Sequence, residues 1–393
     1  MMTNDDISAW DAVRTEENEV STQENRKKEL IKLLDINPRA KSVYDAKGCE
    51  TVEACFELAN ILHTDGQVLE AASFYGEGFD LHDKNPAHYP LAQSFLQTKL
   101  LCLMKAGHSI EEKDLDTLKS FSIPYYNFIK GIQLGWQQNN VDLALETIGN
   151  AYEEFHTGEE IDNLYLELAL KKFGSSLFGE VKGTSIKKIP NNLFFYWDKN
   201  PPEEIQQNID YHQSIESLSV KVFDKEEAAE WLYENYGLET RELFLSARHP
   251  AEAADFLRVH VINLLGGWWL DADIRLSQEG IKFIDSVNSE GVYFLTRKFV
   301  VHNDFFGSAE NNPILNDCLL SLYRNSYLHK GLFIAYKTGP GVFNRAFNRL
   351  IHRRDEGLSM ENKIEIYSQD DFNQYIEEFH TPYKHILPSW YTA

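Results

Sequence analysis

An α/β fold with a largely parallel sheet, preceded by an all-α region, is the architecture that this sequence of 393 residues predicts. Three observations predict it. From about Glu29 to Phe173, apolar residues recur at helical spacing. At "GEVKGTSIKKIPNNLFFYWDKNPP" (179–202) the texture changes to Gly, Ser, Lys and Pro around a short apolar run. Beyond it, strand-like and helix-like stretches alternate, as they do when helices connect the strands of a parallel sheet. The chain accordingly divides into a polar N-terminal stretch (1–25), a helical region (26–180) and an α/β region (181–393).

The first 25 residues are acidic and carry few apolar anchors, which predicts loose order or a frayed helix. In 51–83, Ala54, Leu58, Ile61 and Leu62 form one apolar face; the pattern breaks at Asp65-Gly66 and resumes through Leu69, Ala72, Phe74 and Phe79. That is the pattern of an antiparallel helix pair. A weaker copy spans 126–155, with Asn139-Asn140 at the turn, and a further helix ends near Ala106-Gly107. Turns separated by roughly 30 to 40 residues resemble degenerate tetratricopeptide repeats, without the full signature residues; an irregular helical bundle satisfies the same spacing.

In the second half, "NNLFFYW" reads as a buried strand closed by Asp198 and Pro201-Pro202, and "SLSVKVFD" (217–224) as another. Helical stretches "KEEAAEWLYENYG" and "PAEAADFLRVHVINLLGG" follow, the second running into "WWLDAD"; "GVYFLTRKFV" is a later strand candidate. The segment 301–315, with His302, Asn303, Asp304 and Glu310, reads as a loop past a strand end. Its polar side chains suit positioning of an acceptor or, equally, plain turn chemistry.

Hydrophobic content of 43% and charged content of 25% match a soluble globular chain, and the formal net charge of −23 argues against nucleic acid or an anionic membrane as partner. The four cysteines are scattered without zinc spacing and read as reduced thiols. No apolar run approaches the ~20 residues of a membrane span, and the acidic N-terminus is no signal peptide. These features imply a chain folded in a reducing cytoplasm, or an effector delivered into a host cytosol without a cleaved leader.

The stretch "GGWWLDADIRL" (266–276) places two carboxylates directly after an apolar run. On an extended strand end Asp271 and Asp273 would share a face and could grip one cation. At the carboxyl end of a central parallel strand they would also sit where α/β sheets receive ligands. Mg²⁺ or Mn²⁺ suits such oxygen donors. This reading requires that the two carboxylates not be locked to neighbouring cationic side chains. Upstream, Asp255 and Arg258 sit three apart on the preceding helix, either as part of the same site or as a local ion pair on a solvated face.

The pattern A-x-x-x-D-x-x-R, followed by a glycine pair, two tryptophans and D-x-D, is complete from Ala251 to Asp273. It resembles the DXD region of retaining glycosyltransferases of the GT-A fold, including the family-32 sugar transferases, and is similar to that region of the large clostridial glucosylating toxins. "IPNNLFFYW" resembles the opening strand of the family, with Phe195 where His is usual; "TGPGVF" (338–343) and "ILPSWYTA" resemble downstream elements. The resemblance covers 187–393. It implies a GT-A (Rossmann-like) domain and a metal-dependent, retaining glycosyltransferase that moves a hexosyl or N-acetylhexosaminyl group from a UDP-sugar. By the same resemblance Trp197 flanks the base, and Asp255 and Arg258 hold ribose or the donor sugar and diphosphate. Asp271 contacts hydroxyls, Asp273 is the principal ligand of Mn²⁺ or Mg²⁺, and Ser389 and Trp390 close over metal and diphosphate beside Tyr391. The match at Ser389 and Trp390 is short, and a buried end strand accounts for it equally.

Stacked helical pairs commonly present a concave surface, so the helical region is expected either to recruit a protein or peptide acceptor or to act as a rigid cap. Two rival functions remain open: a helical-repeat adaptor whose transferase-like domain is inactive and only binds, and a metal-dependent phosphohydrolase, for which the clustered carboxylate and His ligands are too few.

Overall fold

A computed structural model describes residues 28–174, 177–178, 186–358 and 362–385. The chain forms two compact units that divide between Gln133 and Leu134.

The first unit is helical: α1 (Pro38–Lys47), α2 (Val52–Thr64), α3 (Val68–Leu81), α4 (Ala92–Lys105), α5 (Glu112–Phe121) and most of α6 (Ile123–Gln137). Its helix starts carry the expected caps. The side chain of Asn37 accepts from the Ala40 amide, ahead of a proline at the first turn, and Thr51 accepts from Ala54. The predicted break at Asp65-Gly66 separates α2 from α3. Leu58, Leu62, Phe74 and Phe95 fill the core, and α3 packs on both α2 and α4.

The second unit begins with the end of α6, then α7 (Val141–Ile148) and α8 (Glu160–Phe173). This boundary lies well upstream of the change in texture near residue 180. The reason is a buried ion pair: the Arg345 guanidinium, on the later helix α16 (Pro340–Asp355), reaches back to Asp162 of α8. Alternation of strands and helices then builds the α/β layer as expected. It comprises β1 (Asn192–Tyr196), α9 (Glu203–Gln213), β2 (Ser219–Phe223), α10 (Lys225–Tyr236), α11 (Leu238–Leu245), α12 (Pro250–Leu265) and β3 (Gly267–Leu270). Next come β4 (Ile274–Leu276), α13 (Gln278–Ser286), β5 (Gly291–Phe294), β6 (Phe305–Ser308), α14 (Pro313–Leu328) and the short α15 (Ile334–Lys337) before α16. The last are β7 (Ile364–Tyr367), α17 (Gln369–Tyr375) and β8 (Ile376–Glu378).

The main sheet has the order β2-β1-β3-β6-β5-β7. Five strands run one way; β6 runs against both its neighbours, β3 and β5, so the sheet is mixed. The segment read as a loop therefore contains a buried central strand. The "FFGS" run of β6 was hidden by the Asn and Asp residues that flank it. Side chains alternate across the sheet. Trp268 stacks on Phe305 in one core, with Leu193, Phe195 and residues of α9, α13 and α17. On the opposite side Tyr293 stacks on Phe306, and both meet Phe343 of α16.

The chain passes from β1 outward to β2 and then returns to the other side of β1 for β3. The adjoining carboxyl ends of β1 and β3 thus form a topological switch point, the usual ligand crevice of such sheets. Gly266 and Gly267 bring the chain into β3 with φ of 63° and 121°. A Cβ on Gly267 would lie 2.6 Å from the Asn192 carbonyl oxygen of β1, so a side chain fits neither the backbone angle nor the space.

Candidate functional site

The crevice at the switch point is lined by residues from six parts of the second unit. Helix α12 opens with the His249 side chain accepting from Ala251 and with Pro250 in its first turn. It aims Asp255 and Arg258 inward: their side chains are only 8% and 3% exposed, and Arg258 Nη2 lies 3.0 Å from Asp255 Oδ1. This buried pair is not the solvated surface ion pair that the spacing alone allowed.

Arg258 Nη2 also lies 3.0 Å from Asp271 Oδ1, its Nη1 donates to the Asn303 carbonyl, and its Nε donates to Ala254 O at 3.3 Å. One guanidinium thus joins the helix, the turn after β3 and the start of the approach to β6. Asp255 receives two further donors: the Asn303 amide at 2.8 Å and the Thr338 hydroxyl at 3.2 Å. Thr338 belongs to the "TGPGVF" stretch, where a Cβ on Gly339 would come within 3.2 Å of Asp255 Oδ2. Asn303 serves Asp255 with its side chain and Arg258 with its backbone.

Burial pushes the Asp255 carboxyl up to about 6, although Arg258, Thr338 and Asn303 all favour the ionised form. Between its ordinary value of 3.8 and about 6 the folded protein keeps a proton that the unfolded chain has released. Asp255 therefore makes folding stability decline with rising pH across that window, and the loss is complete above it. The unfolding free energy of the wild type, measured against Asp255→Asn by urea titration, is expected to fall relative to the variant from pH 4 to pH 7. A constant difference would place Asp255 in the ordinary carboxyl range.

Asp271 and Asp273 do not lie on an extended strand. β3 ends at Leu270, and Asp271, Ala272 and Asp273 form a turn closed by the Ile274 amide donating to the Asp271 carbonyl at 3.2 Å. Period-two alternation therefore does not set their directions. Asp271, 29% exposed, accepts from the Trp269 indole N–H at 2.8 Å as well as from Arg258. Burial raises its pKa; Arg258 opposes the shift, and the charges of Asp273 and Asp304 add to it. Asp273 accepts from the Tyr383 hydroxyl at 3.0 Å and pairs with Lys384 at 2.9 Å, both at Oδ2.

Both carboxylates consequently have a cationic partner, the arrangement that weighs against a free cation clamp. Each still keeps one oxygen without a partner among the described residues, Oδ2 of Asp271 and Oδ1 of Asp273. Two oxygens fit Mg²⁺ or Mn²⁺, which are commonly held by one or two carboxylates together with substrate phosphates and water. Lys384, 51% exposed, competes with such an ion for Asp273.

Trp197 follows β1 at the crevice and meets Tyr383 edge to face, with ring centroids 5.2 Å apart. Burial, reinforced by Asp273, raises the Tyr383 pKa and keeps its hydroxyl a donor. Nearby, His302 bridges Asp304 and Gln369, each at 3.0 Å, and stacks on Phe372. Burial disfavours its imidazolium, yet Asp304 and Gln369 outweigh that and the pKa rises. Glu310 pairs instead with Lys187 and takes no part in this cluster. Ser389, Trp390 and Tyr391 lie outside the described residues. Tyr383 and Lys384 carried no sequence signal: "TPYKH" matches no motif, and the contact spans 110 positions. Thr338 was marked only as part of a resembling stretch.

Among the described residues no helix is long and apolar enough to cross a membrane, and the four cysteines are buried and form no disulfide. The site thus defines a class by its position and chemistry: a polar crevice at the switch point of a mixed α/β sheet, lined by one buried and one half-buried carboxylate that one arginine links. No family model matches the sequence, and no curated protein matches it. Among solved structures the chain is similar to one described as "PaToxG Glycosyltransferase", with 18% identity and a TM-score of 0.33 over 51% of this chain and 89% of that chain. A score of that size does not establish a common fold, so the functional reading rests on the residues themselves.

Proposed function

We propose that the second unit is a glycosyltransferase that takes a UDP-sugar as donor and works with Mn²⁺ or Mg²⁺, retaining the anomeric configuration. One observation carries this reading. Asp255, Arg258, Asp271, Asn303 and Thr338 are drawn from separate stretches of the sequence and close into a single hydrogen-bonded cluster at the carboxyl end of β3. Three of those stretches are ones through which the sequence resembles sugar transferases or marks an acceptor loop.

On this reading Asp271 and Asp273 would hold the metal, whose chemistry there would be neutralisation of the departing diphosphate. Arg258 fixes Asp255 and Asp271 against each other, so the hydroxyl-binding carboxylates are positioned before the donor arrives. Trp197 offers an aromatic edge to the base. Lys384, which pairs with Asp273, would be free to meet the diphosphate if that carboxylate took up the ion. The helical unit, in whole or part, presents a protein or peptide acceptor.

The pairing of both aspartates with cations favours a second reading, a transferase-like module that only binds. Calorimetry of UDP with the full chain separates the two. The enzyme reading expects Mn²⁺-dependent UDP binding that Asp273→Ala abolishes, together with slow hydrolysis of UDP-sugars; residues 134–393 alone should keep hydrolysis and lose transfer. UDP binding that is indifferent to chelator and to Asp273→Ala, without turnover, would establish the binding module. Failure of UDP-, GDP- and CDP-sugars alike to bind would remove both.

A further inference from the structure

The connection between α3 and α4, in the helical unit, gathers His82, Asp83 and His88 with three donor atoms within 4.8 Å of one another. We propose that these residues form a zinc site that staples this connection, a role independent of the sugar-transferase reading.

The argument starts from the proton positions that the hydrogen bonds require. His82 is buried, 4% exposed, at the C-cap of α3. Its Nε2 faces the Pro90 carbonyl at 3.0 Å, so that nitrogen carries the hydrogen. Its Nδ1 is then a lone pair, as the Lys84 amide donating to it at 2.8 Å confirms. Yet the same Nδ1 stands 3.3 Å from Asp83 Oδ1. The Asn85 amide donates to that same oxygen at 3.0 Å, so both atoms are acceptors with amide donors of their own; they share no proton with each other, and a cation between them would relieve their repulsion.

His88 completes the set. Its Nδ1 lies 3.0 Å from the same Asp83 oxygen, while its Nε2 lies 3.3 Å from Glu53 Oε1 on α2. A ring with a carboxylate at each nitrogen is either doubly protonated or holds a proton on one side and a metal on the other. Without metal, both ring N–H groups can donate to these carboxylates, Nδ1 to Asp83 and Nε2 to Glu53. With metal on Nδ1, the Nε2–H to Glu53 is the carboxylate–histidine outer contact that supports metal-binding imidazoles; for His82 the Pro90 carbonyl has the same role.

Two imidazole nitrogens and one carboxylate oxygen favour Zn²⁺ over Mg²⁺ or Ca²⁺, which prefer all-oxygen sites. Bonds of about 2.1 Å in a tetrahedron set ligands roughly 3.4 Å apart; the two nitrogen–oxygen pairs, at 3.3 Å and 3.0 Å, are already near that and the remaining pair lies within 4.8 Å, with water left for the fourth position. Binding displaces the Lys84 amide from His82 and releases the His88 Nδ1 proton, so affinity rises with pH.

The test uses the full chain stripped with chelator and titrated with Zn²⁺ and, for its visible spectrum, Co²⁺. One equivalent is expected, with a four-coordinate Co²⁺ spectrum, affinity that increases from pH 6 to pH 8, and a raised melting temperature. His88→Ala and Asp83→Ala should each weaken Zn²⁺ binding by at least about a hundredfold, and Glu53→Ala by about ten- to a hundredfold. Asp273→Ala should leave this equivalent intact. Should a ligand variant fail to fold without metal, the exposed Glu53→Ala substitution still decides. Absence of saturable binding in the wild type, or equal affinity in His88→Ala, Asp83→Ala and Glu53→Ala, would overturn the assignment.

Discussion

Asp162→Ala is expected to destabilise the second unit by about 3–5 kcal/mol, the usual cost of removing one partner from a buried ion pair. Arg345 and Asp162 are both fully buried, with Nε 2.8 Å from Oδ1 and Nη2 3.2 Å from Oδ2. The carboxylate also accepts from the Asn348 amide at 2.9 Å and the Gly158 N–H at 2.9 Å. Truncation leaves the buried guanidinium with the Phe155 and His156 carbonyls and a Glu153 oxygen 3.5 Å from its Nη1, strips the Gly158 N–H of its acceptor, and leaves the Asn348 amide only the Asp162 backbone carbonyl. The paired change Asp162→Leu with Arg345→Met removes both charges and should recover much of the loss, because apolar replacement of a whole buried pair is often neutral. Urea titration followed by tryptophan emission reads both, since Trp197, Trp231, Trp268 and Trp269 lie in the second unit. A loss below about 1 kcal/mol for Asp162→Ala would show that water or a rearranged partner compensates.

The second large effect is expected at Arg258. Its guanidinium is the common partner of Asp255 and Asp271, so Arg258→Ala leaves two inward carboxylates without their counter-charge. Both would hold protons to higher pH than in the wild type, since burial already raises them and Arg258 is the main opposing influence. On the proposed activity, hydrolysis and transfer should fall by about 10²–10³, the range seen when a preorganised charge-stabilising donor is lost. Arg258→Lys should not restore it, because one ammonium cannot replace a fork that reaches Asp255, Asp271 and the Asn303 carbonyl together. A simple packing role for Arg258 predicts instead that Arg258→Lys recovers most of the rate and that the pH profile stays unchanged.

Much of the fold was legible because local pattern and tertiary demand agree. The helix over 250–265 has a cap, an early proline, periodic apolar residues and a glycine stop, and each does what its chemistry suggests. β1 and β2 are apolar or alternating runs bounded by turn residues, and both occur where expected. β6 was not legible: four residues between Asn-Asp and Asn-Asn look like a loop, and only pairing with β3 and β5 makes them a strand. The same limit applies to the two aspartates. Alternation predicted a common face, whereas the chain turns immediately after Leu270, a choice set by the pairing of β4 with β8 about a hundred residues later. Asp255, Arg258 and Asp271 lie together in the fold, but their mutual ion pairs, and the Tyr383 and Lys384 contacts to Asp273, depend on distances between segments that periodicity does not encode.

The bond between Arg345 and Asp162 also decides where the polypeptide can be cut. A fragment starting at the compositional shift near residue 180 would discard α8 and expose to solvent a surface built to receive it, with a stranded positive charge at its centre. A transferase-like fragment that keeps this pair whole must include α8, and so begins well before its sequence texture advertises.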